Sequence, residues 1–181
     1  MFLGGAWPAL KRPWRKLVLV CYALRMADIK YQFYTGFPED QVLQDIAFVS
    51  QSVFPGVTIE KAEQLNRDKL EGRKAIFIIV AKEDGKPVGF KQGYATRPGF
   101  FESESGGVVE SARKRGIANE MIKLQHEWCV KNKFVFIDTS VSNDNQTMLI
   151  LNLKHGFKVV GTTLHRNKIP LVLLQKQIAE M

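Results

Sequence analysis

Residues 27–181 read as one mixed α/β domain around a single central sheet, and three observations carry that reading. Segments of strand and helix periodicity follow each other as strand, two helices, three strands, helix, strand, helix, two strands. Asp84-Gly85 sits between two apolar runs, where a two-residue hairpin needs residues that tolerate positive φ. No repeat, low-complexity tract or linker divides the stretch, and 181 residues suffice to bury one core.

Ile29 to Tyr34 alternates apolar and polar residues as a first strand does. After Gly36-Phe37-Pro38, Val42, Ile46, Val49 and Val53 fall on one helical face. Pro55-Gly56 breaks that helix, and Thr58 can cap a second one carrying Ile59, Ala62 and Leu65. Ala75 to Val80 is a buried strand, and the Asp84-Gly85 turn leads into another from Val88 to Tyr94. A further strand spans Phe101 to Val109. Ile117, Met121, Leu124 and Trp128 then mark a helix, Phe134 to Ile137 a strand, and Asn143-Asp144-Asn145 the start of a helix running to about Lys154. Gly156 stands where a left-handed C-cap belongs, and two strands close the chain, Phe157 to Leu164 and Ile169 to Leu174.

Composition narrows the function. Hydrophobic content of 45% and charged content of 24% are those of a soluble globular protein. The net charge of +8 is uneven, because residues 1–25 hold five of the 26 basic residues and no acid, which leaves +3 for the remainder. The folded part is therefore a weak candidate for nucleic acid. Cys21 and Cys129 are too far apart in sequence for a metal or redox motif, and both read as free thiols in a reducing compartment. The apolar run Leu17 to Leu24 is too short to span a membrane. Basic residues precede it as in a secretory signal, without a small-residue cleavage site after it; a transit peptide also suits the composition. The preferred expectation is that residues 1–26 form a poorly ordered basic extension.

The richest segment is Val108-Val109-Glu110-Ser111-Ala112-Arg113-Lys114-Arg115-Gly116-Ile117-Ala118. An apolar strand runs into a basic turn containing a glycine, and a helix starts at once. Backbone N–H groups of such a turn and of a helix N-terminus can hold phosphate oxygens. An ordinary strand-to-helix connection with a solvated Arg-Lys-Arg cluster explains the same residues.

Two motifs on this scaffold resemble the GNAT superfamily of N-acetyltransferases. Arg113-x-x-Gly116-x-Ala118 is similar to its acyl-CoA pyrophosphate loop, Arg/Gln-x-x-Gly-x-Gly/Ala. Asn145, followed by Gly156-Phe157, is similar to its pattern of a CoA-contacting Asn on the fourth helix and a Gly-Phe that opens the next strand. The resemblance covers roughly residues 27–176. It implies a mostly antiparallel sheet of about seven strands with about four helices, and acetyl-CoA as the acyl donor, with no metal. The implied cofactor contacts are Val108, Val109, Arg113, Lys114, Arg115, Gly116, Ile117, Ala118, Asn119 and Asn145. Val108 matches the strand residue whose backbone polarises the thioester carbonyl, and the three basic side chains are expected to attract the nucleotide's 3′-phosphate.

Acylation of an amine also needs a base to remove its proton. Glu104 matches a frequent base position of the family, with Glu102 as the alternative; either is otherwise a solvated strand carboxylate. Strand alternation puts both on the side of Val108 unless a bulge intervenes. Glu110 is expected to interact with the basic turn. The sequence departs from the family at Asn152, where a Tyr usually protonates the leaving thiolate, because an amide is no acid. Tyr94 is a remote substitute. His126 is expected on an exposed helix face, His155 at a helix end that welcomes positive charge, and His165 without a role. Phe100, Phe101, Tyr31, Phe33 and Tyr34 line an acceptor pocket or pack in the core.

The function expected from the resemblance is transfer of an acetyl group to a small-molecule or peptide amine by direct attack in a ternary complex. The alternative is a non-catalytic acyl-CoA-binding sensor or interaction module of the same fold. No specific nucleic acid and no stable membrane insertion are expected; a homodimer is compatible with the sequence, and the location expected is cytoplasmic.

Overall fold

The strand Lys74–Glu83 sets both faces of the molecule. It is apolar at every position from Ala75 to Ala81, and successive strand residues face opposite ways, so it must be covered on both sides. The computed structural model describes residues 29–54, 56–165 and 168–180. The expected basic extension and its alternatives lie outside them.

Among the described residues the chain forms β1 (Lys30–Thr35), α1 (Asp40–Val53), α2 (Ile59–Leu70), β2 (Lys74–Glu83), β3 (Lys86–Arg97), β4 (Phe100–Val108), α3 (Ile117–Lys131), β5 (Phe136–Ser142), α4 (Gln146–Lys154), β6 (Lys158–Leu164) and β7 (Pro170–Gln177). Ile76, Ile78 and Val80 pack with Val42, Ile46 and Val49 of α1 and Leu70 of α2. Phe77, Ile79 and Ala81 pack on the other face with Ile117, Met121 and Cys129 of α3, and Met148 and Leu149 of α4 join them there. The lower end of α3 is fixed by rings, with Trp128 stacked on Phe77 at 4.4 Å and on Phe134 at 5.8 Å.

The seven strands lie in the order β1-β2-β3-β4-β5-β7-β6, antiparallel except for β4 and β5. This is the mixed, mostly antiparallel sheet with four helices that was expected. The local signals also hold. Asp84 and Gly85 both take positive φ in the hairpin, and the Thr58 hydroxyl accepts from Lys61 N–H. Gly156 (φ 84°) ends α4 with Phe157 N–H donating to Asn152 O at 3.1 Å.

One element is displaced from its expected position. The strand expected over Phe134 to Ile137 instead runs from Phe136 to Ser142. Lys133 turns at φ 61°, and Phe134 is buried below α3 rather than in the sheet. Ile137, Thr139 and Val141 supply the inward face, with Asp138, Ser140 and Ser142 alternating outward.

β4 is irregular where it matters most. Gln92 pairs with Ser105 and Tyr94 with Glu102, so Gly93 alone faces Ser103 and Glu104 in a β-bulge. A Cβ at Gly93 would meet Glu102 O and lie 2.5 Å from the Phe101 ring. Gly93→Ala is therefore expected to cost about 3 kcal/mol or more in urea unfolding. Gly161→Ala, whose Cβ would touch only Leu173 at 3.8 Å, is expected to change stability by less than about 0.5 kcal/mol. Equal stabilities would contradict the tight approach of β3 and β4.

Candidate active site

Beyond β4 the chain makes one 3₁₀ turn, Glu110–Ala112, and then reverses through positive φ at Lys114 (60°) and Gly116 (81°) before α3 begins. Glu120 N–H is the first to reach back to a helical carbonyl, Gly116 O at 2.9 Å. The N–H groups of Ile117, Ala118 and Asn119 have no backbone acceptor among the described residues. They are the orphan donors at the positive end of the α3 dipole. Nothing lies within 4 Å of where a Gly116 Cβ would stand, so their approach is open. A phosphate fits such a cradle.

The basic side chains do less than expected. Arg115 forms a fork on Glu83 at 2.6 and 3.0 Å, turned toward the β2–β3 hairpin. Arg113 Nε donates to Val108 O at 3.1 Å and fixes the turn against the strand end. Only Lys114 of the three has a side chain with no hydrogen bond or ion pair among the described residues, so the attraction expected of the whole cluster narrows to it. Glu110 contributes its backbone carbonyl, which accepts from Arg113 N–H at 3.2 Å.

The turn stands at the mouth of a gap in the sheet. β4 and β5 pair only at Phe100–Phe136, Phe101–Ile137 and Glu102–Asp138, and then diverge. Thr139 Oγ1 donates to Ser103 O at 2.9 Å and closes the vertex. Above it β4 has a partner on one side only. Val109 N–H donates to Val88 O at 2.9 Å, and antiparallel bonding alternates, so the backbone groups of Val108 and Gly106 face the gap. Val108 thus presents an N–H to an open strand edge two turns of chain from the phosphate cradle.

The bulge corrects the expected side-chain directions. Val108 packs with Ile117 and Met121 beneath α3, whereas Glu104 reaches Lys69 of α2 on the opposite face, at 2.5 Å. Gln92 Nε2 also donates to Glu104 at 3.1 Å. Burial pushes the Glu104 carboxyl up, but the Lys69 ammonium and the hydrogen bonds from Lys69, Ser105 and Gln92 outweigh it, and the net shift is downward. Glu104 is a bound carboxylate, not a free one.

Glu102 is the contrasting case. With Asp138, Ser140, Val160 and Gln175 it lines a cleft of about 360 Å³ on the face of the sheet away from α3. Burial, then Asp138 and Glu104, raise its carboxyl to about 7, against a lowering by Lys91. Asp138, which no sequence signal singled out, is held by Gln175 Nε2 at 2.8 Å.

Asn145 caps α4, its Oδ1 accepting from Met148 N–H at 3.2 Å. Asn152 is buried and its Nδ2 donates to Met148 O at 3.0 Å, a bond within its own helix. Tyr94 is packed against α1 and α2 with Arg73 over its ring at 4.5 Å, so it does not reach the gap. Cys129 is fully buried and its thiol is pushed up to about 12 by burial. His126 is buried rather than exposed, and burial, with Lys176, Lys91 and His155, drives it down to about 3. His155 hydrogen-bonds Asn119 Oδ1 at 2.7 Å and its pKa is lowered by burial, so it adds no cation to the helix end. Of the aromatics, Phe101 is core, Phe100 stacks on Phe136, and Tyr31, Phe33 and Tyr34 lie on β1, three strands from β4.

Among the described residues no three His, Cys, Asp or Glu side chains gather as a metal site, and no helix is long and apolar enough to cross a membrane. A comparison with curated protein sequences finds no match. Solved structures share the fold. A Desulfovibrio desulfuricans protein assigned to the GNAT family aligns with a TM-score of 0.69 at 12% identity, over 83% of this chain and 100% of its own. An aminoglycoside 6′-N-acetyltransferase complexed with coenzyme A gives 0.67 at 13%, over 83% and 98%. The ribosomal-protein-S18-alanine N-acetyltransferase of Escherichia coli gives 0.66 at 13%, over 83% and 96%. At these identities the likeness is one of fold. The Acetyltransferase (GNAT) family model matches the sequence itself over residues 43–157, so the chain belongs to the GNAT family of acetyltransferases.

Proposed function

We propose that this protein transfers an acyl group from a coenzyme A thioester, acetyl-CoA in the simplest case, to an amine in a ternary complex. The observation that carries the reading is the continuity of two unpaired backbone surfaces. The orphan N–H groups of Ile117, Ala118 and Asn119 lie beside the open edge of β4 at Val108 and Gly106. The first suits a pyrophosphate, and the second suits the thioester end of an extended pantetheine arm, which can lie along a strand edge as a peptide does. Lys114 adds a cation at the phosphate end, and Asn145 retains its amide N–H groups for the arm while its oxygen caps α4.

The chain's residues then divide the chemistry. The Val108 N–H would stabilise negative charge on the thioester oxygen. As the amine nitrogen bonds to the acyl carbon, the C–S bond breaks and its electron pair stays on sulfur, and the second N–H proton, lost as the amide forms, passes to water or to the departing thiolate. The ammonium proton lost before attack passes to Glu102 through a chain of waters along the gap, because Glu102 is the carboxylate with a raised pKa near its vertex. Glu104 is better suited to fixing the bulge through Lys69 and Gln92. Asn152 offers no acid, and a thiol pKa near about 8.5 lets the thiolate leave without one. The acceptor is a small-molecule or peptide amine, approaching from the Glu102 side.

Asn152, bonded within its own helix, also favours a second reading, a non-catalytic acyl-CoA sensor. Thiol release across an amine panel separates the two: an enzyme releases CoA only with certain amines, a sensor with none.

Gly116→Glu is expected to weaken acetyl-CoA binding about tenfold or more in calorimetry, through bulk and like charge at the phosphate cradle. Unchanged affinity would remove the loop from the site. For Glu102, the carboxylate exists above its raised pKa. kcat/KM should therefore rise with pH to about 7 and level off, and Glu102→Gln should lose that limb along with about 10²-fold or more of rate. A limb that survives the substitution would rule Glu102 out. Glu104→Gln should keep the limb but lower the thermal midpoint, since it releases Lys69 and Gln92.

A further inference from the structure

The layer between β3 and α3 holds polar groups that the reaction above does not use. Gly89 lies under Ile117 and Met121 of α3, within 3.3 Å of where its Cβ would be. Two residues along β3 and one helical turn along α3, Lys91 comes under Gln125 and near Cys129. Lys91 is 8% exposed, yet it has no hydrogen bond or ion pair among the described residues. Gln125 is fully buried, with neither its Nε2 nor its Oε1 partnered. His126 Nδ1 faces Lys176 Nζ at 3.2 Å, so it accepts and leaves the proton on Nε2, which is also buried without a partner.

An ammonium, an amide N–H and an imidazole N–H are thus stranded together, and donors outnumber acceptors. The nearby carboxylates Glu102, Glu104 and Asp138 face the other side of the sheet. Burial lowers the Lys91 amine to about 8, which leaves it mostly charged at neutral pH. Glu104 and Glu102 attract Lys91 from across the sheet but form no ion pair with it, and a buried charge without a paired counter-ion costs several kcal/mol, so the arrangement calls for an anion. Its location identifies which anion. Lys91 is the cross-strand partner of Gly106, whose backbone faces the gap, and Lys91 Cγ lies 3.4 Å from where a Gly106 Cβ would be. Gly106 is two residues below Val108, about 7 Å along the strand. A short chain extending from a thioester at Val108 toward the vertex of the gap ends in this cluster.

We propose that Lys91, Gln125 and His126 bind the terminal carboxylate of the acyl group, so that the donor is the CoA thioester of a short dicarboxylic acid such as malonyl- or succinyl-CoA. This rests on the reading that the thioester lies against β4. A carboxylate offers four lone-pair sites, enough for all three donors, and its two oxygens replace the missing counter-ion of Lys91. The transfer step keeps its balance, with the same C–N bond formed and the same C–S bond broken.

The test is calorimetry of the full chain with free CoA, acetyl-CoA, butyryl-CoA, malonyl-CoA and succinyl-CoA. Butyryl-CoA has the chain length of succinyl-CoA without the charge. The expected result is that malonyl- or succinyl-CoA binds about tenfold or more tightly than butyryl-CoA. Lys91→Met should bring that ratio close to one with the affinity for free CoA unchanged, and Gln125→Leu should reduce it several-fold. If Lys91→Met fails to fold by circular dichroism, Gln125→Leu carries the comparison. Equal binding of charged and uncharged chains, or a preference that survives the variants, overturns the carboxylate site and leaves the acyl-CoA reading standing. Failure to bind even free CoA removes both.

Discussion

The short parallel contact between β4 and β5 is the constraint on which the remainder of the molecule depends. Three residue pairs hold the strands together, the Thr139 hydroxyl seals the end, and beyond it the sheet is open in its middle. A continuous sheet would have used the backbone groups of Gly106 and Val108 in a ladder. The Val108 carbonyl is taken up by Arg113, but leaving the Val108 N–H and the Gly106 groups without a ladder partner carries a cost in stability, because polar backbone groups need partners. The fold tolerates the gap because each half of the sheet has its own support. β2 to β4 are gripped from both faces by α1, α2 and α3, and β5 to β7 pair along nearly their full length.

The bulge at Ser103 and Glu104 gives the two faces of the gap different chemistry. It turns Glu104 toward α2 with Ser105, next to Glu102, and keeps Val108 and Gly106 related to the α3 face. Carboxylates therefore collect on one side, Glu102 and Asp138 above all, and cations on the other, Lys91 and Lys176. In the proposed reaction, a cationic amine and an anionic donor would be drawn to opposite sides of one slot. Gly93 makes this possible, since a side chain there would push Phe101 and the bulge apart.

Much of this was readable in the sequence, for local reasons. Asp84-Gly85, Thr58, Gly116 and Gly156 mark positions where backbone geometry leaves few residue types, and each occupies its expected place. The turn between β4 and α3 was legible because its geometry is made by backbone and glycine. The carboxylates were not, because a bulge inverts the face of every residue beyond it, and nothing in Glu102-Ser103-Glu104-Ser105 states where the extra residue falls. β5 lies further along than the apolar run Phe134 to Ile137, because its inward face is the alternating set Ile137, Thr139 and Val141. Lys91-Gln92, polar within the apolar run Val88 to Tyr94, was the one unused signal. Two adjacent polar residues in a buried strand must face opposite layers, and here one meets Asn66 on α2 and the other lies under α3.

The central claim is that one ligand occupies the α3 cradle and the open edge of β4 together. Backbone amide shifts of the labelled full chain, followed by NMR as free CoA is added, test it most directly. Gly106, Val108, Ile117, Ala118 and Asn119 are expected to shift together with a single saturation curve, while the far strand β6 stays unmoved. Shifts confined to the α3 turn, or centred on β6 with β4 silent, would contradict it.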